Sequence, residues 1–394
     1  MDSHFDRQLS RENTRSVKWD LRKAIYGSED ILPMWVADMD FLVPDQVKKA
    51  LIKRAGHGIY GYTFTVPFLN NLITEWLMER FQWKVGASSI MYSPGVIPTL
   101  NMAIQAFTEI GDAIMIQTPV YPPFHDSIKN NQRKTVENPL LLNNDKYEID
   151  FDDMEEKMKN GIQAFILCNP HNPVGRVWTR DELTRIAELC LKYNVLLISD
   201  EIHADIVYSG HQHIPIASIH DELAKRTITC LSPTKTFNLA GLQVSYAVVE
   251  NEEMRKQLEK NFHKNGIHMM NTMGITALEA AYTHGHQWLQ ELITYLETNV
   301  ELVEYSFQPT DIRVIKPEGT YLVWLDFRSL GMKHEDLKNW LITEAKVGLN
   351  DGITYGKEGE GFMRINVGAP RQQVTQAINR IKNALKLREE RKKS

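Results

Sequence analysis

Apolar positions along the chain follow two alternating spacings. Helical spacing joins the apolar residues of segments 69–81 and 96–107. Short uninterrupted apolar runs, which are typical of buried strands, alternate with further helical stretches such as 179–193. These runs cover residues 113–116, 164–167, 195–198 and 227–231. The alternation predicts an α/β fold in which helices cover a mostly parallel sheet.

The pattern changes near residue 286. A long helical stretch to residue 307 is followed by two predicted strands and two predicted helices. The strands lie near 313–315 and 321–326, and the helices at 335–345 and 372–387. This order predicts a smaller α+β domain over 286–394, after a large domain over 46–285. Because no repeat, low-complexity tract or flexible linker separates the two domains, we expect them to pack together.

Composition and charge exclude several classes of protein. The chain has 394 residues, 43% of them hydrophobic, which is enough for two sizeable cores, and no apolar run approaches the roughly 20 residues of a membrane span. The net charge of −5, with acids and bases intermixed, gives no basic stripe for nucleic acid. Three unclustered cysteines and a polar N-terminus predict a reduced, cytoplasmic protein, and the histidine and cysteine spacings predict no metal site.

Two predicted strands end in residues that carry chemistry. Lys235 follows the apolar run 227–231, and Asp200 ends the apolar run 194–200. Ligands of parallel sheets bind beyond the carboxyl ends of the strands, so both side chains are expected in one pocket. Ser232 and Thr234, beside Lys235, have hydroxyls that suit phosphate oxygens, and the combination indicates pyridoxal phosphate (PLP). Taken alone, Ser-x-x-Lys is also typical of a surface lysine, and Asp200 of a helix cap.

A phosphate site is predicted where a second motif opens a helix. Gly95 and Val96 begin the helical segment 96–107, where unpaired backbone amides and the positive end of the helix dipole favour an anion. Gly95 permits a close approach of the backbone. The alternative is an ordinary Pro-Gly turn before a helix.

These motifs stand in an order that resembles a known family. Ser93-Pro-Gly-Val-Ile, Tyr121, Asn-Pro-His-Asn-Pro-Val-Gly at 169–175, Asp200 and Lys235 are similar to the fold-type I PLP enzymes of the aminotransferase class I/II group, over about residues 35–371. The runs 34–41, 60–62 and 232–238 most resemble the cystathionine β-lyases, carbon–sulfur lyases of the MalY/PatB type. The resemblance implies a seven-stranded sheet in the large domain and an N-terminal segment, 1–45, that packs with the small domain.

The resemblance also implies roles around the cofactor. Lys235 binds PLP and acts as the base, while Asp200 pairs with the pyridine nitrogen and keeps it protonated. Tyr121 stacks on the ring, and Asn172 donates a hydrogen bond to the phenolic oxygen. His203 stands where many aminotransferases have a tyrosine near that oxygen; the alternative is a surface or helix-cap histidine. Gly95, Val96 and Ser232 are expected to hold the phosphate.

Substrate and partner contacts are implied in the same way. Arg364 is expected to grip the α-carboxylate of the substrate, a bidentate task that suits a guanidinium, unless it forms an internal ion pair. Asn169 and Ala37 are expected beside the substrate. Tyr62 is expected to reach the phosphate in the other subunit of a homodimer; Tyr60, or an aromatic pair that packs a loop, is the alternative.

The implied activity is β-elimination from a sulfur amino acid. L-Cystathionine would give pyruvate, ammonia and homocysteine, and L-cysteine would give sulfide. Lys235 removes the α-proton, and Lys235 or Tyr121 protonates the leaving sulfur. Gln243 stands where many aminotransferases have a phosphate-binding arginine, which counts against the alternative of a class I/II aminotransferase. A third interpretation is a ligand sensor or regulator-binding protein that keeps the cofactor for folding.

Overall fold

A computed structural model describes residues 3–393 of the chain. Its strands are β1 (Leu32–Pro33), β2 (Ile90–Ser93), β3 (Ala113–Ile116), β4 (Lys134–Glu137), β5 (Leu141–Asn143), β6 (Lys146–Glu148), β7 (Ile162–Cys168), β8 (Leu196–Asp200), β9 (Thr227–Leu231), β10 (Ser245–Val248), β11 (Arg313–Ile315), β12 (Leu322–Asp326), β13 (Val347–Gly348), β14 (Asn350–Asp351) and β15 (Phe362–Asn366). Its α-helices are α1 (Val17–Asp20), α2 (Arg22–Tyr26), α3 (Asp45–Gly56), α4 (Pro67–Phe81), α5 (Val96–Phe107), α6 (Pro123–Asn130), α7 (Phe151–Lys159), α8 (Arg180–Lys192), α9 (Asp221–Ala224), α10 (Pro233–Thr236), α11 (Glu252–Lys264), α12 (Thr272–His284), α13 (His286–Phe307), α14 (His334–Thr343) and α15 (Arg371–Lys393).

The large sheet has seven strands in the order β2-β10-β9-β8-β7-β3-β4. Strands β4, β3, β7, β8 and β9 are parallel, whereas β10 is antiparallel to both of its neighbours. Because β10 is antiparallel to both β9 and β2, strand β2 runs in the same direction as the five parallel strands. Six carboxyl ends therefore lie at one edge of the sheet, and the predicted mostly parallel, helix-covered sheet is confirmed.

The central strands are apolar on both faces because helices cover both faces. Along β7, Phe165 and Leu167 join a cluster that includes residues of α7 and α8. The alternate residues Ala164 and Ile166 join a second cluster with residues of α5 and α6. Successive side chains of a strand point to opposite faces, so an uninterrupted apolar run serves two cores at once.

A second, antiparallel sheet forms in the C-terminal part of the chain, in the order β11-β12-β15-β14. Asn299 of α13 is fully buried and its side-chain amide donates to the carbonyls of Val367 and Ala369, at 3.0 and 2.9 Å, which fixes this helix next to the end of β15. Strand β1 of the N-terminal segment pairs with β13 in parallel. The division of the chain at residues 45 and 285 stays a prediction, and Met1, Asp2 and Ser394 of its outer segments lie outside the described residues.

None of the helices in residues 3–393 is long and apolar enough to cross a membrane. Over the same residues, no group of three or more His, Cys, Asp or Glu side chains is arranged to hold a metal ion.

Candidate active site

Lys235 lies just beyond β9, in the short helix α10. Ser232 caps this helix, since its Oγ accepts a hydrogen bond from the Thr234 N–H at 3.1 Å, and Pro233 opens it. The partly buried Lys235 amine donates a hydrogen bond to the backbone carbonyl of Ala37 at 2.5 Å. The predicted base therefore meets the predicted substrate residue Ala37, although 198 positions separate them in the sequence.

The environment of Lys235 favours its neutral form. Burial and the positive charge of Arg364 together lower the pKa of this amine to about 8, against the opposing effect of Asp38 and Asp200. A lysine of this kind has a sizeable neutral fraction near pH 8 and can act as a base.

Asp200 ends β8 inside the protein. Burial raises the pKa of its carboxyl to about 7; a hydrogen bond from the Ile202 N–H, at 3.1 Å, and the charge of Lys235 oppose this rise. A buried carboxylate of this kind is stabilised by a ligand that brings a positively charged N–H group. The position of Asp200 therefore fits the protonated ring nitrogen of a pyridine.

Arg364 reaches the same pocket from β15 of the second sheet. Its Nη1 donates to Oδ1 of Asn172 at 2.8 Å, and its Nη2 donates to the Trp35 carbonyl at 3.0 Å. The side chain is 2% exposed, and its Nε is buried without a hydrogen-bond partner. Within residues 3–393, no carboxylate lies within 4.0 Å of this guanidinium, so the internal ion pair is not observed. A buried, uncompensated guanidinium fits an anionic ligand such as an α-carboxylate.

Asn172 and Asn169 lie in the loop that follows β7. Because Oδ1 of Asn172 accepts from Arg364, its Nδ2 remains the donor side of the amide, as the predicted bond to a phenolic oxygen requires. Asn169 is fully buried, accepts from the Trp178 N–H at 3.2 Å and donates to the Ile214 carbonyl at 3.4 Å. Its side chain is thus held within the loop, and its contact with substrate stays a prediction.

His203 and Tyr121 complete the pocket wall. His203 is 4% exposed, and its Nδ1 is buried without a partner, so it is not a surface histidine. Burial and the charges of Lys235 and Arg364 lower the pKa of His203 well below its usual value, which keeps the ring neutral. Burial raises the pKa of the Tyr121 hydroxyl, and the nearby Asp200 raises it further, so this hydroxyl keeps its proton.

The predicted phosphate site lies where β2 leads into α5. Gly95 is the N-cap of this twelve-residue helix, and a Cβ added there would come within 3.2 Å of Pro98 Cδ. The first amides of the helix, beginning at Val96, supply anion-binding donors. The Ser232 hydroxyl donates to the Val244 carbonyl at 2.7 Å, which fixes this side chain near the same edge of the sheet. The cradle therefore fits a phosphate through helix amides.

Tyr62 lies on the surface of its own chain. It is 94% exposed, and the neighbouring Ile59, Tyr60 and Phe64 are exposed as well. The expected contact of Tyr62 with the phosphate in the other subunit of a homodimer stays a prediction.

The sequence did not point to the residues that hold the segment 35–41, here called the strap. Asn366 Nδ2 donates to the carbonyls of Val36 and Asp38, at 2.5 and 2.6 Å. Asn238, at a φ of 58°, accepts from the Met39 N–H at 3.0 Å. The only local signals in the sequence were Asn366, at the end of an apolar strand, and Asn238, which lies three residues after Lys235.

A buried ionic cluster fixes the other side of the strap. Asp40 accepts hydrogen bonds from Lys18 and Arg11, both at 2.7 Å, and from the Trp19 indole at 2.9 Å. Burial on its own would raise the pKa of Asp40, but the charge and hydrogen bond of Lys18, together with the hydrogen bonds of Trp19 and Arg11, outweigh burial and lower that pKa. Arg11 also grips Asp38 through both of its terminal nitrogens, at 2.9 and 2.7 Å. The N-terminal residues thus hold the strap rigidly over Lys235.

Comparison with known proteins agrees with this geometry. The sequence model described as "Aminotransferase class I and II" matches residues 29–381. The chain belongs to the aminotransferase class I and II family. Among its relatives in that family is cystathionine β-lyase PatB of Bacillus subtilis (strain 168), which is 44% identical over 386 residues, 97% of this chain and all of PatB. Protein MalY of Escherichia coli (strain K12) is 32% identical over 97% of this chain and 98% of MalY.

A solved structure within the aminotransferase class I and II fold is also close. Cystalysin from Treponema denticola, whose crystal structure contains a pyridoxal 5'-phosphate cofactor, superposes with a TM-score of 0.95. It shares 36% sequence identity, and the match covers 98% of this chain and 99% of cystalysin. The expected resemblance to the PLP enzymes of this family, and to MalY/PatB-type lyases within it, is confirmed.

Proposed function

We propose that this protein is a PLP-dependent carbon–sulfur β-lyase that cleaves L-cystathionine to pyruvate, ammonia and homocysteine, and accepts L-cysteine with release of sulfide. The observation that carries the proposal is the partly buried amine of Lys235, whose hydrogen bond to the Ala37 carbonyl fixes it in the pocket and whose pKa responds to the charges of a buried acid, Asp200, and an uncompensated buried Arg364. The names of its relatives, cystathionine β-lyase PatB among them, support the choice of a sulfur amino acid as substrate.

The residues of the pocket fit PLP. We assign its contacts to Lys235, Asp200, Tyr121, Asn172, His203, Gly95, Val96 and Ser232, in the roles that the resemblance implies. When bound, PLP supplies an electron sink that stabilises negative charge at the substrate Cα. The protein supplies the orientation of the substrate and the movement of protons.

Proton transfer falls to two side chains. The neutral amine of Lys235 takes the α-proton of the substrate at Nζ, while its N–H remains bonded to the Ala37 carbonyl. Arg364 orients the substrate through the α-carboxylate, beside Ala37 and Asn169. The leaving sulfur takes a proton either from Lys235 or from the Tyr121 hydroxyl, whose raised pKa keeps it protonated before the transfer.

A pair of substrates tests this function directly. L-2-Aminobutyrate carries a Cβ without a leaving group, whereas the Cβ of L-cystathionine carries a thioether sulfur that can leave as a thiolate. In deuterated buffer we expect the protein to exchange the α-proton of L-2-aminobutyrate without forming a keto acid, and to convert L-cystathionine to pyruvate. α-Proton exchange on both substrates without any pyruvate would contradict the lyase assignment while keeping Lys235 as the base.

Replacing Arg364 with alanine should weaken substrate binding. Loss of a bidentate, charge-assisted contact is expected to lower kcat/KM for L-cystathionine by about 10²- to 10³-fold, mostly through KM. Arg364→Lys should recover only part of the lost kcat/KM, because an ammonium group lacks the planar fork of donors of a guanidinium. Arg176→Lys is the matched control: Arg176 is another buried arginine, paired with Glu182 and Glu318, and its replacement should lower stability without changing KM. Unchanged steady-state kinetics for Arg364→Ala would remove its substrate role.

We also propose a homodimer in which Tyr62 contacts the phosphate bound by the partner chain. The exposed apolar side chains of segment 59–68 support an interface there, since such patches mark association surfaces. A reducing compartment such as the cytoplasm suits the three free, buried cysteines.

Subunit mixing tests the position of Tyr62. Tyr62→Ala and Lys235→Ala chains should each be inactive at limiting PLP, the first because the cofactor is lost. In a randomly mixed population, each heterodimer would contain one intact pocket, so activity should return to about a quarter of the wild-type value. If Tyr62 serves its own chain, no heterodimer has an intact pocket and mixing restores nothing.

A further inference from the structure

The carbonyl oxygen of Ala37 accepts hydrogen bonds from two side chains that come from different sheets. Lys235 Nζ, beyond the large sheet, lies 2.5 Å from it. The Tyr321 hydroxyl, at the start of the second sheet, lies 3.0 Å from it. Tyr321 is 1% exposed, so water does not compete for its hydroxyl. The Ala37 carbonyl therefore connects a residue beyond the large sheet to a residue at the start of the second sheet.

The neighbouring carbonyls of the strap have other partners. Arg364 binds the carbonyl of Trp35, and Asn366 binds those of Val36 and Asp38. Asn238 donates to the carbonyl of Met39 at 2.8 Å. Every carbonyl from 35 to 39 is therefore held by a side chain, and the carbonyl of residue 37 is the one that faces the lysine.

The backbone around Tyr321 is fixed from both sides. Its own carbonyl accepts from the Val367 N–H at 2.9 Å, which ties it to the end of β15. Thr320, at a φ of 70°, donates its N–H to the Ile206 carbonyl at 2.8 Å, which ties the segment to the loop after β8. These two backbone contacts fix the position from which the Tyr321 hydroxyl reaches the strap.

We propose that Tyr321 is a positioning residue for the base: its hydroxyl holds the Ala37 carbonyl so that this carbonyl receives and orients the free amine of Lys235. The proposal rests on the proposed role of Lys235. It assigns no contact with substrate or cofactor to Tyr321.

The chemistry of the acceptor gives this contact a measurable consequence. A carbonyl oxygen has two acceptor sites, and Tyr321 fills one of them, so Lys235 can use only the other. Burial raises the pKa of Tyr321, which therefore remains a proton donor. Without this hydroxyl, both acceptor sites become open to the lysine, which favours the charged ammonium. The pKa of Lys235 should then rise from about 8 towards the ordinary lysine value.

The other groups that face Lys235 are unchanged by the substitution. Asp38 on the strap and Asp200 at the end of β8 favour the charged amine, while Arg364 on β15 opposes it. His203, which is neutral, faces it from the loop after β8. A change in the titration of Lys235 in Tyr321→Phe would therefore report the lost hydroxyl.

The test is the pH dependence of acetic anhydride labelling at Lys235 in the full-length chain freed of cofactor, read by mass spectrometry of the peptide that contains it. We expect Tyr321→Phe to move the labelling midpoint to higher pH, so that labelling near pH 7 slows by about three- to tenfold. Tyr246→Phe is the matched control, because it removes another buried hydroxyl bond, to Tyr282, and should leave the midpoint unchanged.

An unchanged or lower midpoint in Tyr321→Phe would overturn the proposal, as would an equal rise in Tyr246→Phe. In the holoenzyme, the acidic limb of the kcat profile should move in the same direction as the labelling midpoint. The labelling needs neither PLP nor turnover. Failure of the lyase function would therefore appear as absent pyruvate with the labelling result intact, whereas failure of the Tyr321 proposal would appear in the labelling alone.

Discussion

Replacing Lys235 with alanine is expected to lower kcat for L-cystathionine by at least about 10⁴-fold, because one change removes both the covalent attachment of PLP and the proton acceptor at Cα. Borohydride reduction followed by intact-mass measurement should show the cofactor adduct on the wild-type chain and none on the variant. Lys256→Ala, at an exposed lysine paired with Glu252, is the control and should behave as wild type.

A small amine gives this prediction a second readout. Methylamine added to Lys235→Ala should restore part of the proton transfer, since it supplies a base without the side chain, and the restored rate should rise with its neutral fraction. Full turnover by the alanine variant, or an adduct that persists on another lysine with activity retained, would reject Lys235 as the base.

Replacing Asp200 with alanine is the change with the second-largest expected effect. The carboxylate keeps the pyridine nitrogen protonated, so its loss removes the charge that stabilises the developing carbanion, and kcat should fall by about 10³-fold. Asp326→Asn is a suitable control, because Asp326, the last residue of β12, is also buried but binds Arg328 in the turn that follows this strand. Equal kcat values for wild type and Asp200→Ala would remove the proposed role of Asp200.

The raised pKa of Asp200 predicts an effect on stability with a definite sign. In the cofactor-free chain, its folded-state pKa, about 7, lies above the ordinary value of 3.8, so the folded state binds more protons between these limits. Its contribution to the free energy of unfolding should therefore fall as pH rises from 4 to 7, by a few kcal/mol. Urea unfolding should show this fall in wild type relative to Asp200→Asn. A wild-type chain that gains stability relative to the variant over this range would contradict the assignment.

The pocket residues at strand ends could be predicted from the sequence because their signals are local. Lys235 and Asp200 each follow an apolar run, and parallel strands bring their carboxyl ends to one edge. Gly95 precedes a clear amphipathic helix. The sheet topology brings these positions together. The structure places Lys235, Asp200, Asn172 and Gly95 at the same edge of the sheet, as the resemblance implied.

Contacts that depend on long-range packing could not be predicted. Tyr321 begins an apolar run and resembles an ordinary core aromatic, yet its hydroxyl binds a carbonyl 284 positions away. The antiparallel direction of β10 could also not be predicted from the sequence, since a short apolar strand has the same pattern of residues in either direction. The Ser232 hydroxyl also caps α10 and binds the Val244 carbonyl, and only the packed structure reveals these two contacts.

The proposed lyase function requires the pocket to perform β-elimination rather than amino-group transfer. Its most direct test is to incubate the PLP-loaded protein with L-cystathionine, without any keto acid, and to measure pyruvate and free thiol over many turnovers. A β-lyase should release both products continuously and in equal amounts. Turnover that begins only when a keto acid is added, without pyruvate from L-cystathionine alone, would contradict the lyase function and identify the protein as an aminotransferase.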